Sequence, residues 1–179
     1  IPIFTRSLPK IKFYPDNFIL PESDYDIHVP IGSLGKYLRN NEKDCEVSRY
    51  GFLKDDQVNT SEIKKDLMAL NPSNNKICGI SWRSSSTNTG ASQNIDLKYL
   101  IEMLNLDGYM FVSLQYGETK EEISEVRDEL GINIISYEKV DNYLNIDGLS
   151  SLIQVCDTVI SVGNVNCHLA GALGKEIHV

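Results

Sequence analysis

Hydrophobic positions along the chain follow two regimes that meet near residue 58. From Lys76 onward, short apolar runs alternate with stretches patterned at helical spacing. The runs are Ile77-Cys78-Gly79-Ile80-Ser81-Trp82, Tyr109 to Leu114, Ile132 to Ile135, Thr158 to Val162, and Ile177 onward. Strands covered on both faces read as near-continuous apolar runs of this length, so these predict a buried parallel sheet. Between them, Leu97, Leu100, Ile101 and Leu104 lie on one helical stripe, and Leu149, Leu152, Ile153 and Cys156 form another. Ile123, Val126 and Leu130 make a third behind Thr119 and Glu122, which stand at capping-box spacing. Asn59 and Glu62 have the same spacing before Ile63, Leu67 and Leu70, which predicts a helix opening at Asn59. Strand alternating with helix predicts the α/β class, a Rossmann-like doubly wound parallel sheet over residues 59–179.

Residues 1–58 read differently. They hold Pro2, Pro9, Pro15, Pro21 and Pro30 and only brief apolar runs such as Phe18-Ile19-Leu20, too little for a core of their own. A length of 179 residues suits one full domain and is short for two. The chain opens on Ile1 rather than Met, and Glu176-Ile177-His178-Val179 reads as a strand just beginning. The expectation is a fragment, with 1–58 the remnant of a preceding domain plus linker and 59–179 a domain truncated at its C-terminus.

Charge narrows the partners. The formal net charge is -8, with no block of Lys or Arg, which argues against duplex nucleic acid. A single nucleotide stays compatible with an acidic surface, because a helix N-terminus and a few polar side chains hold a diphosphate locally. Cys45, Cys78, Cys156 and Cys167 lack the paired short spacing of a metal site and read as reduced core residues. No apolar stretch approaches the roughly 20 residues of a membrane-spanning helix, and no signal-peptide pattern opens the chain, so a cytoplasmic location is expected. There is no internal repeat and no G-x-G-x-x-G, which disfavours a dehydrogenase-type dinucleotide site.

In an open parallel sheet, ligands bind beyond the carboxyl ends of the strands, which selects three loops. Arg83-Ser84-Ser85-Ser86-Thr87-Asn88-Thr89-Gly90 combines hydroxyls with a guanidinium able to clamp phosphate, although composition alone fits a flexible polar loop better. Gln115-Tyr116-Gly117-Glu118 offers an amide and an aromatic face for a base or ribose, but by itself fits an ordinary strand-to-helix turn better. The third loop, after Val162, is chemically more explicit. Asn164 suits an N-cap and Gly174 a C-terminal stop, leaving backbone N–H groups near Val165 and Asn166 at the ligand edge. His168 lies one turn in, on side chains that lean toward the helix N-terminus. A lone His beside an apolar stretch is more often structural, and Ala170, Gly171 and Ala172 are explained by close packing alone.

Taken in order, Ile77 to Ser84, Phe111-Val112-Ser113-Leu114-Gln115-Tyr116-Gly117, Leu152 to Val162, and His168-Leu169-Ala170-Gly171-Ala172-Leu173-Gly174-Lys175 resemble the C-terminal domain of bacterial glycosyltransferases commonly fused to tetratricopeptide repeats. These are more distantly similar to lipopolysaccharide heptosyltransferases. Asp24 to Leu34 resembles that family's interdomain stretch, so the likeness spans about residues 24 to 179. It implies the C-terminal half of a GT-B fold holding a nucleotide-diphosphate sugar, with no metal or other cofactor and with a protein or glycan acceptor approaching from the missing N-terminal domain. By position, it implies that Ser81, Arg83, Ser84 and Ser86 line the phosphate side and Gln115 and Tyr116 the nucleoside side. Gly163, Asn164, Val165 and His168 would hold the diphosphate, with His168 and Arg83 stabilising the departing charge. The family usually carries an Asp where this chain has Gly163, and no general base can be named. A catalytically silent nucleotide-sugar-binding module and a sugar-nucleotide epimerase are the alternatives, and the isolated fragment is expected to be inactive.

Overall fold

The computed structural model describes residues 2–45, 51–85, 94–104 and 107–179. Its centre is a sheet of β1 (Lys76–Ser81), β2 (Tyr109–Ser113), β3 (Ile134–Ser136), β4 (Thr158–Ser161) and β5 (Ile177–His178). All pairings are parallel, in the order β3-β2-β1-β4-β5. The α-helices among the described residues are α1 (Pro2–Ser7), α2 (Leu34–Leu38), α3 (Gln57–Ala69), α4 (Leu97–Leu104), α5 (Lys120–Leu130), α6 (Ile146–Val155) and α7 (Val165–Ala172).

Alternation along the strands sorts the core into two layers. Ile77, Met110, Val112 and Val159 pack with Ile63 and Leu67 of α3, Leu149, Leu152 and Ile153 of α6, and Leu169 of α7. Their neighbours Cys78, Ile80, Phe111 and Ile160 point the other way, against Leu97, Leu100 and Ile101 of α4 and Val126 of α5. Successive side chains on a strand face opposite sides, so one short apolar run feeds both layers. The sheet is thus doubly wound, as the sequence pattern predicts. Gly79 stands in β1 where a Cβ would lie 2.7 Å from Leu114 Cδ1 and 2.9 Å from Cys156 Sγ, so any larger residue there forces these buried side chains to shift.

One helix start and one helix cap differ from the sequence expectation. α3 opens at Gln57 rather than Asn59, because the Asp56 carboxylate accepts from Val58 N at 3.0 Å and Asn59 N at 3.1 Å. α5 opens after Thr119 as expected, but the Thr119 side chain makes no cap hydrogen bond. Glu122, its expected reciprocal partner, is turned toward Trp82 and Arg83 instead. The end of α7 matches its reading: Gly174 has φ +75°, Gly174 N donates to Gly171 O and Lys175 N to Ala170 O, both at 3.0 Å. That pair is a Schellman closure, which a left-handed glycine completes.

Residues 8–45 make only short turns and helices, and the side chains of 8–43 are mostly exposed, as their composition predicts; the side chain of Cys45 lies outside the described residues. α1 behaves differently. Ile3 is buried in the α3/α6 layer, and Arg6 pairs with Asp147 of α6 and donates to Lys54 O at 2.9 Å. Cys78 and Cys156 are free thiols buried in the core, while Cys167 is half-buried. Burial pushes both core thiols up to about 12. No helix among the described residues is long and apolar enough to cross a membrane.

Candidate functional site

The strand order reverses direction between β1 and β4, which opens a crevice at the carboxyl edge of the sheet. Four strands end there in serine: Ser81, Ser113, Ser136 and Ser161. Register places Ser81 beside Ser161 and Ser113 beside Ser136, so hydroxyls line the edge in two neighbouring pairs. A strand-end serine satisfies backbone and loop groups where the ladder stops, and here it also anchors a polar network.

Ser81 is the centre of that network and is fully buried. Its hydroxyl accepts from Asn164 Nδ2 at 2.8 Å and Asn166 Nδ2 at 3.0 Å and donates to Gln115 Oε1 at 3.1 Å. A hydroxyl offers one donor and two acceptor positions, so Ser81 is saturated by protein. Gln115 Oε1 also receives Trp82 N at 3.0 Å and Arg83 N at 2.9 Å, which fixes the chain as it leaves β1. Ser81 and Gln115, expected to meet the ligand, therefore form the inner frame that holds the rim in place.

Asn164 is the N-cap of α7, its Oδ1 accepting from Asn166 N at 2.9 Å and from Ser161 Oγ at 3.0 Å. Its Nδ2 also donates to Arg83 O at 3.0 Å, which ties the two facing loops together. The first turn of α7 consequently sits directly over the β1–β4 crevice. Gly163 and Val165 are exposed at its rim, and His168 is exposed one turn further along. A cavity of about 340 Å³ opens at Gly163, lined also by Ser81, Ile95, Ile160, Ser161 and Val179, and reached by neither Val165 nor His168.

Arg83 directs its side chain away from that crevice. Its Nη2 lies 2.8 Å from Glu122 Oε2 and donates to Glu118 O at 2.8 Å. Ser84 is half-buried, with its backbone N–H donating to Asn94 Oδ1 at 2.8 Å, while Ser86 lies outside the described residues. Tyr116 is on the β2 side, its hydroxyl accepting from Ser85 N at 2.7 Å and donating to Ser85 Oγ at 3.1 Å. Its ring faces Tyr143 at 5.7 Å and 42°. The two tyrosines help to line a second cavity, of about 710 Å³, with Ser85, Thr119, Asn142 and Lys120. The crevice, whose lining is largely apolar through Ile95, Leu100, Ile160, Val162 and Val179, and this more polar cavity flank the Arg83 loop.

Two side chains at this edge escaped the sequence reading, and the backbone N–H of Asn166, expected to face a ligand, is taken by Asn164 Oδ1. Asn166 is fully buried and donates to Ser81 Oγ and, at 3.1 Å, to Leu114 O, pinning α7 to β1 and β2 at once. Asn142 donates to Ser113 O at 3.3 Å and Gln115 O at 3.2 Å and so closes the end of β2. The available signal was an amide next to an apolar small-residue helix, where a buried side chain must find partners. A further cavity, of about 570 Å³, lies at the opposite, amino end of the strands, lined by Leu70, Asn71, Asp107, Tyr109 and Ile132. Asn71 there closes its own turn through Asn75 O at 2.7 Å and Asn75 N at 3.0 Å. The chemistry of a ligand site is thus concentrated at the carboxyl edge. No group of three or more metal-ligating side chains occurs among the described residues.

No family model matches the chain. Protein FlbA of Caulobacter vibrioides (strain ATCC 19089 / CIP 103742 / CB 15) is 29% identical over 189 residues, an alignment that covers 98% of this chain and 31% of that protein. The chain therefore spans about a third of the length of the curated relative it matches. Among solved structures, ADP-heptose lps heptosyltransferase II of E. coli matches with a TM-score of 0.52 and 14% identity, covering 78% of this chain and 42% of that one. The likeness is one of fold: the doubly wound α/β unit of this chain is shared with part of a glycosyltransferase.

Proposed function

We propose that this chain carries the donor-binding half of a GT-B type glycosyltransferase, one that moves a hexosyl or heptosyl group from a nucleotide-diphosphate sugar to a hydroxyl of a protein or glycan. The observation that carries the reading is the first turn of α7, capped by Asn164 and held over the β1–β4 crevice by the Ser81–Asn166 network. N–H groups at such a turn, with the positive end of the helix dipole, suit a diphosphate. His168 stands close to that turn and adds a donor for a phosphate oxygen, and Arg83 supplies the cation from the facing loop. The nucleoside extends toward the Tyr116–Tyr143 cavity, whose rings suit a planar base. As the glycosidic bond to phosphate breaks, these groups meet the charge that develops on the leaving nucleoside diphosphate.

Residues 1–58 read as linker and edge of an acceptor-side domain, of which α1 packs back onto the donor-side layer through Ile3 and Arg6. The remainder of a longer protein, with any tetratricopeptide repeats, supplies the acceptor site and the general base. A cytoplasmic enzyme without a metal fits this reading. A binding module without turnover is the second reading, favoured by Gly163 at the family's usual Asp position and by the engagement of Arg83 with Glu122. Calorimetric titration with UDP, GDP and ADP, comparing the native chain with His168→Ala and Arg83→Ala, tests the site. Saturable binding of one nucleotide, weakened by both substitutions, is expected; binding that neither substitution changes refutes the placement. Turnover of a donor panel by the full-length protein separates the enzyme from the silent module.

A further inference from the structure

The Arg83 guanidinium is the lone cation between Trp82 and Asp96 in the sequence, yet it is held away from the crevice. Its backbone is immobilised on both sides, N–H on Gln115 Oε1 and carbonyl on Asn164 Nδ2. Only the side chain is left to move. Glu122, which holds it, is itself fixed from the other side: Trp82 Nε1 donates to Glu122 Oε1 at 3.1 Å while the guanidinium meets Oε2 at 2.8 Å. Both side chains of the pair are about one-third exposed, at 36% and 34%, so the contact lies within reach of a soluble anion. Among the described residues Arg83 Nε is buried without a hydrogen-bond partner, so the guanidinium has a donor that they leave unused.

We infer that Glu122 is a latch that competes with an anionic ligand for Arg83, so that binding of a diphosphate transfers the guanidinium from the carboxylate to the phosphate oxygens. The inference rests on the proposed donor site and adds a residue whose removal improves binding. Glu122 is anchored by the Trp82 indole and stays behind when Arg83 leaves. A bidentate phosphate contact then replaces the carboxylate contact and the Nη2 hydrogen bond to Glu118 O at 2.8 Å, and the exchange is favourable because the ligand carries more charge and more acceptors than Glu122.

Inorganic pyrophosphate is the probe, titrated by calorimetry into the native protein, Glu122→Gln, Arg83→Ala and the double variant. In Glu122→Gln the side-chain amide retains an acceptor for Trp82 Nε1 and loses the charge that holds Arg83. A partly exposed ion pair is a weak competitor, so Glu122→Gln is expected to bind about two- to fivefold tighter. Arg83→Ala binds more weakly, and adding Glu122→Gln to Arg83→Ala brings no further gain. Unchanged or weaker binding by Glu122→Gln overturns the latch, as does a gain that persists without Arg83, which would report only the removal of a negative charge. A lowered Tm of Glu122→Gln without tighter binding also overturns it, since that marks a purely structural clasp. Parallel titrations with UDP, GDP and ADP separate the two ideas. Tighter pyrophosphate binding with no nucleotide bound upholds the latch and refutes the donor reading; nucleotide binding of equal strength in native and Glu122→Gln proteins does the reverse. Absence of pyrophosphate binding in both proteins overturns the latch.

Discussion

Replacing Asn164 by alanine removes a side chain that is 8% exposed and makes four hydrogen bonds. The consequences can be followed partner by partner. Asn166 N loses its cap, a change that costs about 0.5–2 kcal/mol at helix N-termini. Ser161 Oγ keeps Val162 O at 2.9 Å, and Ser81 Oγ keeps Asn166 Nδ2, so these two hydroxyls are not stranded. Arg83 O loses the Asn164 amide, and a buried polar group left unpaired costs about 1–3 kcal/mol. The sum is about 3 kcal/mol, a lowering of Tm by about 6–12 °C for a protein of this size. Urea denaturation of native, Asn164→Ala and Asn164→Asp proteins measures it. Asp retains the capping oxygen but sets a carboxylate against Arg83 O, so it is expected to recover little of the loss. If Asn164→Ala costs under about 0.5 kcal/mol, or if Asn164→Asp is as stable as the native protein, the side chain serves at most as a cap and the reasoning that it clamps two loops is refuted.

Gly79→Ala drives a methyl group into Leu114 and Cys156 and is expected to destabilise by about 1–3 kcal/mol, read by urea midpoint; a neutral result would show that α6 yields freely. Cys78 and Cys156 are expected to resist a thiol reagent in the folded protein and to react after denaturation, with Cys167 labelled natively; fast native labelling of all three contradicts their burial. Their thiols, raised from an ordinary 9.0 to about 12, keep protons that the unfolded chain gives up, so their contribution to stability is constant below pH 9.0 and falls as pH rises from there to about 12. The midpoint should drop across that window, less so in Cys156→Ala. Lys139 and Tyr137 donate to the Asp66 carboxylate and hold it below the usual range, so its stabilising contribution is present above that range and lost as pH falls through it. Asp66→Asn should flatten the acid limb of a stability-against-pH curve; an unchanged limb removes this link between α3 and the β3 loop.

The sheet was legible because parallel strands declare themselves as near-continuous apolar runs, whose successive side chains supply both layers. Helix boundaries were less legible where side chains had better partners than a cap. Glu122 stands at capping-box spacing from Thr119, but the Trp82 indole and the Arg83 guanidinium, distant in sequence, take its carboxylate. Asp56 outcompetes Asn59 for the start of α3 because its carboxylate reaches two N–H groups. At the site, the Asn164 cap and the Gly174 stop were readable as local chemistry. The inward roles of Ser81, Gln115 and Asn166 were not, since each depends on a partner at least 34 positions away on another strand or helix. Sequence marks polar residues at a ligand edge; only the fold tells frame from rim.

The most direct test of the account is amide hydrogen exchange of the full chain, with and without a saturating nucleoside diphosphate. The account predicts ligand-dependent protection at residues 82–85, 115–118 and 163–168, along the carboxyl edge of the sheet. Protection confined to the amino-end cavity around Asn71 and Asp107, or no protection at any segment, would contradict it.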